Sequence, residues 1–172
     1  MKSIFLSFFL ILLIGCKSQK NLTSNGQPML KEINCPEGGD CVFEVLKNSS
    51  LQIKTDDFGK IYPEIVPGNK LVVKYHYKRD EVENVMDSNY SEYVYFEIDP
   101  NEKQIILKDM DLQKVKMVFG RICFCREDGG YFRVNNGDLF LFNSNNNLQV
   151  KLKFKIHKIP QVITEVNENI KY

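Results

Sequence analysis

Two pairs of cysteines are the residues of this 172-residue chain best equipped for chemistry. Cys123 and Cys125 stand one residue apart in "GRICFCREDGGY", and Cys35 and Cys41 bracket "CPEGGDC". Four thiolates, with His76 or His157, could ligate zinc or copper. Their spacings of six and two, however, do not match the short paired knuckles of zinc sites. A redox pair prefers Cys-x-x-Cys at a helix start, where the helix lowers a thiol's pKa. The third possibility is structural disulfides, and the choice depends on the compartment the chain occupies.

Other chemistry is sparse. The two histidines lie among lysines in strand-like segments, with no Ser or Cys nucleophile nearby in sequence. No phosphate-binding loop, HExxH, GxSxG or EF-hand pattern occurs. "DDFG", residues 56 to 59, reads as a turn. Asp109 with Asp111, or Glu127 with Asp128, could act as a general acid and base, but neighbouring turn carboxylates are usually solvated. Tyr75, Tyr77, Tyr93 and Tyr95 form a candidate binding platform, to which the loop residues Glu127 and Tyr131 belong as well. Core packing accounts for at least half of those four tyrosines more simply. The chain therefore reads as no enzyme, with no cofactor and no metal.

The first residues, "MKSIFLSFFLILLIGCKSQK", place Lys2 before an apolar run from Ile4 to Ile14 broken only by Ser7. A membrane-spanning helix needs about 20 residues, so this run is a targeting segment. Its end, Leu13, Ile14, Gly15 and Cys16, resembles the lipobox of bacterial lipoproteins. The resemblance implies cleavage before Cys16, thioether lipidation of that residue and acylation of the new amino terminus. Lys17 after the lipidated Cys, rather than Asp, is similar to the sorting signal for the outer membrane in some bacteria. Several acyl chains hold a protein on a bilayer durably. The expected organisation is a signal peptide at 1–15, the lipidated Cys and a flexible tether at 16–34, and one β domain at 35–172.

Export settles the preferred chemistry of the remaining four cysteines, because an even number in an oxidising compartment is the arithmetic of two disulfides. Residues two apart in a flat strand have Cα atoms about 6.6 Å apart, so a Cys123–Cys125 bond needs a bend. Pairing Cys35 with Cys41 closes a short loop worth about 2.4 kcal/mol in the chain-entropy model, against about 4.6 for a bond to the region of residue 123. These considerations lean to the crossed arrangement, with the first ordered loop stapled to the strand of Cys123 and Cys125 by two bonds.

Without Lys2 the chain carries 22 basic and 22 acidic residues. It has no basic excess to hold a polyanion, which argues against nucleic acid as a partner. Twelve Phe and eight Tyr, together with many β-branched residues and no Ala, favour sheet over helix. "LQVKLKFKIHKI" alternates Leu148, Val150, Leu152, Phe154 and Ile156 with polar residues, a half-buried strand whose lysines suit an edge. "YFRV", "DLFLFN" and the strand from Leu148 read as a three-strand meander turned by Asn135 to Gly137 and by Asn143 to Asn147. "LVVKYHYKR" and "YSEYVYFEI" are two more strands.

The expected fold is all-β: an antiparallel sandwich or partly open barrel of about eight to ten short strands, meander-rich in its C-terminal half. In the strand of the cysteine pair, the phase of Val115, Met117 and Phe119 turns Arg121, Cys123 and Cys125 inward, whereas a bulge at Gly120 would turn them out. The functional expectation is a non-enzymatic lipoprotein, tied to the bilayer through Cys16, that binds another envelope protein or serves a membrane assembly. The alternative is a ligand- or carbohydrate-binding module, or an inhibitor of an exported hydrolase.

Overall fold

The computed structural model describes residues 34–81, 88–125, 128–157 and 159–172. Cys16 with its lipobox, and Glu127, lie outside them. Among the described residues ten strands form two antiparallel sheets. They are β1 (Gly39–Thr55), β2 (Ile61–Pro67), β3 (Lys70–Arg79), β4 (Tyr90–Ile98), β5 (Gln104–Lys108), β6 (Val118–Cys123), β7 (Gly130–Arg133), β8 (Gly137–Ser144), β9 (Asn147–Phe154) and β10 (Glu165–Lys171). A short 3-10 helix, Asp109–Val115, joins β5 to β6. No described helix is long and apolar enough to cross a membrane.

The first sheet runs β2-β1-β3-β4-β6-β7 and the second β10-β9-β8-β5. Period-two alternation puts Leu71, Val73, Tyr75 and Tyr77 of β3, and Val94, Phe96 and Ile98 of β4, on one face of the first sheet. They pack against Leu139, Leu141, Leu148, Val150, Leu152 and Phe154 of the second. This is the sandwich core. The all-β expectation is met, with one sheet of the sandwich curled into a half-barrel.

The curl begins in β1. One extra residue between Leu46 and Ser49 breaks the register with β3, and Asn48 takes a left-handed φ of 51°. A bulge reverses which parity faces which side. Before it, Cys41, Phe43 and Val45 face the sandwich core; after it, Leu51 faces a second cluster with Val72 and Tyr95. The β1–β2 hairpin consequently arches until β2 comes against β7, the opposite edge of the same sheet.

Leu51, beyond the end of β3, has its N–H bound to Glu97 Oε2 at 2.7 Å and its C=O to Lys116 Nζ at 2.8 Å. Glu97 and Lys116 pair with each other at 2.6 Å. This ion pair stands where a neighbouring strand would otherwise supply the ladder.

Two expectations are corrected and one open alternative is decided. β9 is interior, because the last segment forms β10 and pairs along its whole length with it. The meander is shorter: β7 pairs with β6 and β8 with β9, so Asn135 to Gly137 carry the chain from one sheet to the other. No bulge forms at Gly120, since β6 pairs with β4 without interruption from Cys123 opposite Tyr90 to Val118 opposite Tyr95. Arg121 and Cys123 accordingly share the face of Phe119.

Candidate functional site

The cysteines pair locally, against the crossed arrangement. Cys35 bonds to Cys41 with Cα atoms 5.5 Å apart. β6 ends at Cys123, the chain bends at Phe124, and Cys123 bonds to Cys125 with Cα atoms 5.2 Å apart. The sheet order explains the correction. β3 and β4 lie between β1, which carries Cys41, and β6, which carries Cys123. Three interstrand steps separate them by about 14 Å, beyond the reach of a disulfide.

The tyrosines divide by strand parity. Tyr75 and Tyr77 are in the sandwich core, which corrects their place on the candidate surface. Their hydroxyls tie down the segment before β1: the Tyr75 hydroxyl shares its one hydrogen between Asn34 O at 3.2 Å and Cys41 Sγ at 3.0 Å, and Tyr77 donates to Gly38 O at 3.1 Å. Burial, with Glu168 nearby, pushes the Tyr75 hydroxyl up to about 12, so it remains a donor.

Tyr93, Tyr95 and Tyr131 occupy the other, concave face and form one row with His76, but Tyr95 is buried there with Leu51 and Val72, which corrects its place on the candidate surface as well. The register sets His76 opposite Tyr93, Tyr93 opposite Gly120 and Gly120 opposite Tyr131. The His76 ring stacks on Tyr93 with centroids 4.3 Å apart and planes 2° apart. Tyr93 and Tyr95 are 5.8 Å apart and near-parallel, and Tyr95 meets Tyr131 at 6.4 Å, tilted. Stacks of this kind add about 0.5–1.5 kcal/mol per pair beyond area burial. A Cβ at Gly120 would collide with the Tyr131 ring; this position is glycine so that the ring can lie across the strand.

Burial, then the Lys74 ammonium, holds His76 below the usual imidazole range, leaving a neutral ring for stacking at pH 7. Its Nε2 lies 3.2 Å from Ser91 Oγ. Burial pushes the Tyr131 and Tyr95 hydroxyls up. Val42, opposite His76, is 47% exposed, and Ile122, opposite Ser91, is 44% exposed. The row is thus an aromatic strip with an apolar border, flanked by the Lys74–Glu44 ion pair at 2.7 Å. His76 and Gly120 are the members that sequence reasoning missed. Only the cross-strand register brings them beside the tyrosines.

Of the carboxylates considered for acid–base work, the described ones, Asp109, Asp111 and Asp128, each have a partner within the chain. Asp109 Oδ1 accepts from Gly137 N at 3.1 Å, and Asp111 pairs with Lys114 at 3.0 Å. Asp128 lies 3.8 Å from Arg121. A carboxylate that no motif announced, Glu92, is fully buried on the core side of β4. It accepts from Val162 N at 2.7 Å, from Ile163 N at 2.6 Å and from the Tyr90 hydroxyl. Arg121 Nε donates to Tyr90 Oη at 3.3 Å, and the Arg79 guanidinium stacks on the Tyr90 ring at 4.1 Å. The group anchors the segment between β9 and β10 to the first sheet.

Among the described residues no three of His, Cys, Asp and Glu are grouped as a metal site. Two open grooves lie away from the aromatic row. One, of about 420 Å³, runs between β5 and the end of β4. The other, of about 210 Å³, lies between Lys47 and Tyr172. No protein-family model matches this chain, and no curated protein or solved structure matches it.

Proposed function

We propose that the protein is a non-enzymatic lipoprotein of the outer membrane, held by acylated Cys16, whose curled sheet presents its aromatic row to another envelope protein. The carrying observation is the row itself: half-buried His76, Tyr93 and Tyr131 ranged beside the buried Tyr95 and bordered by exposed Val42 and Ile122. Stacked rings pre-organised on a sheet lose little side-chain entropy on docking, and a shallow apolar strip with a polar rim suits a protein surface. Small ligands favour enclosed pockets with convergent polar groups, whereas this strip is bordered by the exposed apolar side chains of Val42 and Ile122. The best-placed titratable groups, Glu92 and His76, are occupied in holding structure, which supports a binding role over catalysis.

The test is crosslinking and pull-down of the tagged, lipidated protein from its own membranes, beside a Val42→Glu/Ile122→Glu variant. Recovery of one partner by the parent, and at least tenfold less by the variant at equal thermal stability, is expected. Equal recovery by both would refute the aromatic face as the docking surface. Cys16→Ser should release the chain from the membrane fraction; continued sedimentation with membranes counts against the anchor.

A further inference from the structure

The outer face of the second sheet is apolar at its centre and basic around it. Ile106 of β5 stands opposite Phe140 of β8, and Phe142 follows two residues along the same strand. Ile106 is 70% exposed and Phe142 44%, while Phe140 is half-buried. Residues opposite one another, or two apart on one strand, are neighbours on the same face. The three side chains therefore make one exposed patch, of the kind that marks an interaction surface.

Lysines rim the patch. Lys151 of β9 lies opposite Phe140, and Lys108 and Lys153 flank Asp138 from either side. Lys155 continues the alternation just past β9 and Lys171 ends β10; all five lysines are exposed. Against them the face sets two carboxylates, Asp138 at 3.9 Å from Lys108 and Glu165 at 3.7 Å from Lys153. In a chain whose basic and acidic residues nearly balance, this is a local excess of positive charge.

We propose that this face lies on the bilayer, its ammonium groups on the phosphates of anionic phospholipid and Ile106, Phe140 and Phe142 at the boundary with the acyl chains; the inference rests on the acylated Cys16 of the proposed function. Three observations choose a lipid surface over other occupants. The chain enters the domain at the edge of this same sheet, where Asn34 N donates to Glu168 Oε1 of β10 at 2.9 Å. The residues from Cys16 to Asn34 span at most about 60 Å, so an anchored domain stays within that distance of the bilayer. An apolar centre with a basic rim meets both layers of a leaflet, phosphate and hydrocarbon, whereas a soluble polyanion would use the charges alone. The outer face of the first sheet is concave and cannot lie on a plane. With the second sheet against the membrane, the aromatic row points away from it, toward an envelope partner.

The full lipidated chain, reconstituted in vesicles of phosphatidylethanolamine and phosphatidylglycerol, tests this. Cys35, Cys41, Cys123 and Cys125 are in disulfides, so a single introduced cysteine takes an environment-sensitive fluorophore. At Gln104→Cys, opposite Phe142, lipids brominated high in the acyl chain should quench the emission about twofold or more. At Val42→Cys, on the other sheet, they should not. Replacing phosphatidylglycerol by phosphatidylcholine, or adding Ile106→Glu with Lys151→Glu, should abolish quenching at position 104. That double variant should still float with the vesicles and keep its melting temperature, because both side chains are in solvent. Quenching that is equal at the two positions, absent from position 104, unchanged on net-neutral vesicles or undiminished in the double variant overturns the proposal. A blue shift at position 104 without quenching would mean that a second protein copy covers the face, and overturns it too. A chain that does not float and carries no acyl mass at Cys16 overturns the anchor as well, whereas a floating chain whose position 104 stays in water overturns this face alone.

Discussion

Glu92→Ala is the substitution from which most can be learned about how the two sheets are held together. The carboxylate is fully buried, and three donors converge on it: Val162 N, Ile163 N and the Tyr90 hydroxyl. Removing it leaves two backbone N–H groups without an acceptor, each costing about 1–3 kcal/mol, and loosens the Tyr90–Arg121 contact. Together the unmade bonds cost about 3–5 kcal/mol. For a domain of this size that corresponds to a melting temperature lower by roughly 10–20 °C, a large share of a total stability of about 5–15 kcal/mol. Glu92→Gln keeps one acceptor oxygen but turns its amide hydrogens toward one of the two N–H groups, so it should lose about half as much. Thermal and urea unfolding followed by circular dichroism measure both. If Glu92→Ala lies within about 1 kcal/mol of the parent, the carboxylate is not the anchor described here.

Gly120→Ala should cost about 1–3 kcal/mol, because its methyl displaces the Tyr131 ring from the strand; chemical unfolding measures this, and a neutral result removes the packing reason for glycine. Cys35→Ser should cost about 2 kcal/mol through the short loop that Cys35–Cys41 closes. Intact mass with and without reductant and alkylation should add four labels to the exported chain only after reduction, and four free thiols beforehand would contradict both bonds. Burial raises the Glu97 pKa, but the Lys116 ammonium, the Leu51 N–H and the Ser50 hydroxyl outweigh it, so the carboxyl is held below its ordinary value in the folded chain. A depressed folded-state pKa contributes stability above the unfolded value of about 4.5, lost as pH falls through the folded one. Hence Glu97→Gln should weaken the protein at pH 7, and the gap in urea midpoint between variant and parent should narrow toward pH 3; an unchanged gap would falsify this assignment.

Local chemistry carries a good part of the fold. Alternation in "LVVKYHYKR" and "LQVKLKFKIHKI" is visible in the chain because a strand exposes its two faces with period two, whatever it pairs with. The same parity put Tyr75 and Tyr77 with Leu71 and Val73, and hence in the core. Strand geometry also showed that a Cys123–Cys125 bond needs a bend, which weighed toward the crossed pairing; β6 ends at Cys123 and the chain bends there instead.

Pairing between distant segments was decided only in three dimensions. That β3 and β4 lie between the strands of Cys41 and Cys123, which rules out crossed disulfides, is a property of sheet order, and no local residue pattern encodes it. The Asn135–Gly137 turn has the same composition whether it closes a hairpin or passes the chain to the other sheet. His76 beside Tyr93, and Gly120 beneath Tyr131, depend on register across four strands. The two buried donors on Glu92 come from residues some seventy positions away. Sequence thus determined the strands and their faces, because those follow from the nearest few residues. Tertiary structure decided the neighbours, because the core and the curl of the first sheet select one pairing among many locally equivalent ones.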